Sequence, residues 1–139
     1  MNHPVVLATK LLKESGDTFH LPTAQVYCVK EGDEFQLLTA HPDVYEALES
    51  VSKVIPSDAI AIAVITTGWA APLNENGEAV GAPSKHPNRR RVKLVACVDS
   101  EFAGSALGFE DSPEDVVTDE GNASGSLADA LAEAWNSRA

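Results

Sequence analysis

The sequence predicts an α/β protein of the α+β type, with a single five-stranded, mainly antiparallel sheet and three helices packed on it. Three observations carry that prediction. The stretch "AIAIAVITT" (59–67) is apolar at successive positions, so it reads as a central strand covered on both faces. Two amphipathic helical patterns precede it and a third closes the chain. Gly-, Asp- and Pro-containing turns cut most of the remainder into strand-length pieces, giving the order α-β-β-α-β-β-β-α.

Asn2-His3-Pro4 opens the first helix. Proline is tolerated in the first turn because its missing N–H would have no partner there, and Asn2 or His3 supplies the cap. Val5, Ala8, Leu11 and Leu12 recur at helical spacing until Ser15-Gly16-Asp17 stops the helix. Ala24 to Lys30 is rich in β-formers, Glu31-Gly32-Asp33 turns, and Glu34 to Thr39 returns as the second strand of a hairpin. His41-Pro42-Asp43 starts the second helix. Its apolar stripe runs through Val44, Ala47, Leu48, Val51 and Val54 or Ile55 before Pro56-Ser57-Asp58.

After residues 59–67 the next strand is Arg91 to Asp99, with Val92, Leu94, Ala96 and Val98 on one face and Lys93, Val95 and Cys97 on the other. Asp99-Ser100-Glu101 turns into Phe102 to Phe109. Gly104 and Gly108 weaken that strand and mark an edge or a close backbone approach. Residues 110–125 hold Glu110, Asp111, Glu114, Asp115, Asp119 and Glu120 without a basic residue, and are expected to form a solvated acidic loop. Ser126 caps the last helix, with Asp129 three residues on, and Leu127, Leu131, Ala134 and Trp135 form its apolar face. The same order of elements occurs in roadblock-like and profilin-like modules, a resemblance of architecture that supplies no function.

At 139 residues the chain is expected to be one domain, 1–139, large enough for a core without staples. A net charge of −11 makes bulk nucleic-acid binding unfavourable, because the average surface repels phosphate. No apolar run approaches the ~20 residues that span a bilayer. There is no signal-peptide pattern, and the two cysteines lie in strand-like runs, as expected for buried thiols in a reducing cytoplasm.

Residues 68–90, "GWAAPLNENGEAVGAPSKHPNRR", form a long connection. Asn76-Gly77 is a hairpin-turn signal, while Pro72, Pro83 and Pro87 break regular pairing, so a protruding flap is expected. Trp69 at its base is either a core lid or a stacking platform. "TTGWAAP" followed by "PSKHPNRRRVKL" resembles small proteins of actinobacteria and their phages. The resemblance covers roughly residues 62–98, with weaker support at the C-terminal "GSLADAL", and implies a bacterial cytoplasmic setting. It brings no catalytic or binding residue with it.

Chemistry-bearing motifs are sparse. His3, His41 and His86 each precede proline; the first two sit at helix starts, and His86-Pro87 reads as a turn. There is no H-E-x-x-H, no C-x-x-C, no P-loop and no G-x-G-x-x-G, so neither a metal nor a cofactor is expected. Cys28 and Cys97 are possible cross-strand neighbours. Ser84 and His86 have no visible third partner for nucleophilic catalysis.

The basic cluster remains: Lys85, Arg89, Arg90, Arg91 and Lys93 supply half of the ten Lys and Arg residues. Strand alternation places Arg89, Arg91 and Lys93 on one face. Pairing with the chain's own acidic segment 110–120 is the first expectation. A small anionic ligand held by Trp69, His86, Arg89, Arg91 and Lys93 is the second, and an acidic surface on a protein partner the third. The expected function is a non-enzymatic interaction or regulatory module that forms a homodimer. An anion- or nucleotide-binding protein is the alternative, and an enzyme with an unrecognised site comes after it.

Overall fold

A computed structural model describes residues 2–70, 87–120 and 126–138. The elements are α1 (His3–Glu14), β1 (Ala24–Lys30), β2 (Glu34–His41), α2 (Val44–Val51), β3 (Ala61–Ala70), β4 (Arg90–Val98), β5 (Ala103–Phe109), β6 (Ser112–Glu120) and α3 (Ser126–Asn136). All pairings are antiparallel, in the order β2-β1-β3-β4-β5-β6. β3 lies inside the sheet, as its two-sided apolar run requires, and Ala61 to Ile65 are buried.

The sixth strand corrects the expectation of an acidic loop over 110–125. Val116, Val117 and Thr118 are β-branched, and they pair with Gly108, Leu107 and Ala106. Their acidic neighbours stay in solvent because this strand is an edge. Residues 121–125 lie outside the described residues. β5 is therefore interior, and the glycine signal within it reports close approach. A Cβ built on Gly104 would lie 2.5 Å from Val5 Cγ2 and 2.6 Å from Val5 N, so α1 crosses directly on that backbone.

The helices lie on both faces but are offset. Leu7, Ala8, Leu11 and Leu12 of α1 pack with Ala61, Ala63, Ile65, Val95, Cys97 and Ala106. α2 and α3 cover Val26, Cys28, Ile62, Val64, Ala96 and Val98 on the opposite face. Cys28 and Cys97 thus sit on opposite faces of the sheet as buried free thiols, and are not the cross-strand neighbours expected. α1 lies chiefly over β4 and β5, α2 over β1 and β2, and α3 over β3 and β4. Three helices do not roof six strands. Among the described residues, no helix covers the β1–β2 end on the α1 side or the β5–β6 end on the α2–α3 side.

Caps explain where the helices begin. Asn2 accepts the Val5 N–H through Oδ1 at 3.0 Å and donates Nδ2 to the Ala103 carbonyl at 3.0 Å, tying α1 to the start of β5. His3 instead reaches Asp33, at 2.9 Å. Asp43 accepts the N–H groups of Tyr45 and Glu46 and caps α2, while His41 Nδ1 accepts the Asp43 N–H. α2 stops at Val51, but Ile55 beyond it is still buried.

Candidate functional site

The base of the expected flap is an extension of the sheet. Trp69 pairs with Arg91 and Ala70 with Arg90, so β3 and β4 continue as a two-stranded ribbon. Residues 71–86, including the Asn76-Gly77 signal, Ser84, Lys85 and the candidate ligand residue His86, lie outside the described residues.

Alternation places Trp69, Thr67, Arg91 and Lys93 on the α1 face and Arg90 on the other. The guanidinium groups of Arg89 and Arg91 lie 4.8 and 5.1 Å from the Trp69 ring centroid. Both distances suit cation–π attraction. Trp69 remains 37% exposed, so it does not form a closed lid. Arg91 donates Nε to the Phe19 carbonyl at 2.7 Å and Nη2 to Thr67 Oγ1 at 3.2 Å, pinning the segment after α1 against the sheet.

Lys93 is 1% exposed. Its Nζ donates to Ser15 Oγ at 2.7 Å and to the Gly16 carbonyl at 2.8 Å, and lies 4.8 Å from the Phe19 ring. Ser15 Oγ gives its own proton to the Leu12 carbonyl, which leaves its lone pairs for the ammonium. Ser15 is the C-cap of α1. Lys93 therefore caps that helix from across the fold, with its charge at the negative end of the helix dipole. Desolvation holds the ammonium's pKa below the usual lysine range, and Asp17 partly offsets that.

The expected pairing with the acidic segment is made by Arg90 and not by the Arg91/Lys93 face. Arg90 donates Nε and Nη2 to the Asp111 carboxylate at 2.9 and 2.6 Å and stacks on Phe109 at 3.9 Å. This bidentate hydrogen bonding raises the Arg90 pKa and lowers that of Asp111. Arg91 and Lys93 lie on the side of the sheet where α1 ends, and carbonyl and hydroxyl oxygens reach them there first.

The two sheet edges went unseen in the sequence, and they differ in chemistry. β2 carries Glu34 as its only charged residue apart from a terminal His41, and it has no proline. A bulge at Leu38 interrupts its pairing with β1. Leu37 is 51% exposed and pairs with Tyr27, beside Phe35, on the open part of the α1 face. β6 reads Ser-Pro-Glu-Asp-Val-Val-Thr-Asp-Glu, with carboxylates at 114, 115, 119 and 120. Leu94, Leu107 and Val117 stand in one row across β4, β5 and β6 on the face α1 does not cover, and Val117 is 55% exposed.

A groove of about 280 Å³ between α2 and α3 is lined by Tyr45, Leu48, Glu49, Ala130 and Glu133. Another of about 270 Å³, beside Lys93, is lined by Leu12, Phe19, Glu114 and Val116. Among the described residues no three His, Cys, Asp or Glu side chains cluster to hold a metal ion, and no helix is long and apolar enough to cross a membrane. No family model matches the chain, and neither does any curated protein or solved structure.

Proposed function

We propose that this chain is a non-enzymatic interaction module that pairs with a second copy of itself through the β2 end of its sheet. One observation carries the reading: of the two open edges, β2 alone lacks the charges that guard an edge. Exposed edges present unpaired N–H and C=O groups, and proteins usually blunt them with charge or proline. β6 has both. β2 has one terminal carboxylate, and beside it an apolar surface on which Leu37 is exposed next to the half-buried Tyr27 and Phe35, with the Lys10 ammonium 5.6 Å from the Phe35 ring. The Leu38 bulge shortens the regular edge, so this apolar surface carries as much of the contact as the backbone does. Two buried free thiols, suited to a reducing cytoplasm, agree with this reading.

Light scattering on a sizing column tests it. A dimer is expected at about tens of micromolar, the range in which a micromolar interface is filled. Added salt should strengthen the dimer, because each copy carries a net charge of −11. Leu37→Asp should give a folded monomer. A wild-type monomer at that concentration, or a Leu37→Asp dimer, rejects the proposal.

A second reading, small-anion binding, draws on the two guanidinium groups that converge on the exposed Trp69 ring. Its test is a fluorescence titration with adenosine monophosphate at low salt. No response, or an affinity unchanged in Arg91→Ala, removes it.

A further inference from the structure

We infer that β6 is a docking edge for an extended basic peptide, which adds to the sheet as a seventh strand. The sequence of β6 from 114 to 120 is Glu-Asp-Val-Val-Thr-Asp-Glu: a β-branched trio between two pairs of acids. Its pairing with β5 fixes the faces. Val117 and Asp119 oppose Leu107 and Ser105, and Val116, Thr118 and Glu120 oppose Gly108, Ala106 and Gly104. The regular part of this edge therefore runs from Val116 to Glu120, a β-branched trio followed by two carboxylates, while residues 113–115, with Glu114 and Asp115, fall in a register shift opposite no residue of β5. On the side away from α1, Val117 continues the row from Leu94 and Leu107, so an apolar residue added beyond it lengthens an existing apolar strip.

The outer backbone of β6 has no strand partner among the described residues. A strand added there gains main-chain hydrogen bonds, and its alternate side chains meet those of β6 on each face. Opposite charges directly across a ladder attract, and like charges repel. The complement of this edge is a β-branched or apolar trio across from Val116 to Thr118, with basic residues on both sides of it, one set in the ladder beside Asp119 and the other reaching the bulged Glu114 and Asp115 carboxylates. A second copy of β6 laid antiparallel would set acid against acid, so the residues that select a basic partner also exclude self-pairing. This surface is separate from β2, at the opposite end of the sheet.

The test uses the full chain and the labelled peptide Lys-Lys-Thr-Val-Val-Lys-Lys, with Lys-Val-Lys-Thr-Lys-Val-Lys as a control of identical composition, read by fluorescence anisotropy. Binding of the first should be at least ~10-fold tighter than that of the control and should weaken as salt rises. Asp115→Lys with Asp119→Lys should weaken it by at least ~10-fold, because carboxylates at both ends of the trio become cations that repel the peptide. The milder Asp115→Asn with Asp119→Asn should weaken it less. Glu31→Lys with Glu49→Lys makes the same change in net charge on exposed positions elsewhere and should leave the preference between the two peptides intact. The inference is overturned if the two peptides bind alike, if the Glu31/Glu49 variant loses as much as the β6 variant, or if nothing binds. Leu37→Asp should bind the peptide as wild type does, so failure at one edge is distinguishable from failure at the other.

Discussion

Gly104 and Gly108 look alike in the sequence, four residues apart in one strand, yet they should respond oppositely to alanine. At Gly104 the new Cβ would meet Val5 Cγ2 at 2.5 Å, Val5 N at 2.6 Å and Val5 Cα at 3.0 Å. Two of these three obstacles are backbone atoms, so no rotamer change relieves them. α1 cannot simply lift away, because Asn2 caps it and also holds the Ala103 carbonyl next to Gly104. Overpacking of this kind costs about 1–3 kcal/mol, and an obstacle of main chain puts Gly104→Ala at the upper end. For a domain of this size that lowers Tm by roughly 7–12 °C. At Gly108 the nearest atoms are the Leu12 methyls at 3.4 and 3.5 Å, the mobile end of a side chain. Alanine there also relieves the ~0.5–1 kcal/mol cost of glycine in a strand, so Gly108→Ala should be neutral or slightly stabilising. Urea melts of both variants beside wild type decide the matter. Equal losses, or a larger loss at 108, would refute the placement of α1 on β5.

Lys93→Met keeps the length of the buried side chain but strips the Gly16 carbonyl and Ser15 of their donor; about 1–3 kcal/mol should be lost in a urea melt, and an unchanged midpoint would contradict the capping role. Alkali should destabilise the fold. Burial raises the Cys97 thiol far above the ordinary range for a thiol, and it also raises Cys28 and Tyr27, so above about pH 9 the unfolded chain releases protons that the folded chain keeps. Stability then falls by up to ~1.4 kcal/mol per pH unit for each fully shifted group. Lys93 acts in the opposite sense, because its lowered pKa lets the folded state lose its proton first, and it gains stability as pH approaches 10.5. It is one group against three, so denaturation midpoints should fall between about pH 8 and 10, and Cys97→Ala should flatten the decline; a midpoint that rises with pH would refute this balance.

Much of the fold was legible because it depends on local periodicity. The apolar run of residues 59–67, the hairpin around Gly32 and the helix starts at Asn2 and Asp43 are decided by side chains within a few positions of one another. β6 was not legible, because four acidic residues around three β-branched ones carry the composition of a loop. Only the neighbouring β5 makes them a strand, by accepting Val116, Val117 and Thr118 into its ladder. The candidate site divides the same way. Alternation placed Arg91 and Lys93 on one face, but it gave no sign that the face would meet the C-terminal end of α1.

The sequence by itself determined the α+β class, the interior strand, the three amphipathic helices and a net charge of −11. Those properties follow from short-range spacing and from total charge, and neither needs the chain to be folded. The tertiary structure alone decided how the basic cluster is used. Arg90 found Asp111 across the β4–β5 hairpin, Arg91 the Phe19 carbonyl, and Lys93 the end of a helix some eighty residues earlier. A cation binds whichever oxygens packing brings to it, and packing is a long-range outcome. For the same reason only the assembled sheet revealed which strands lie at its edges, and hence where a partner strand would add.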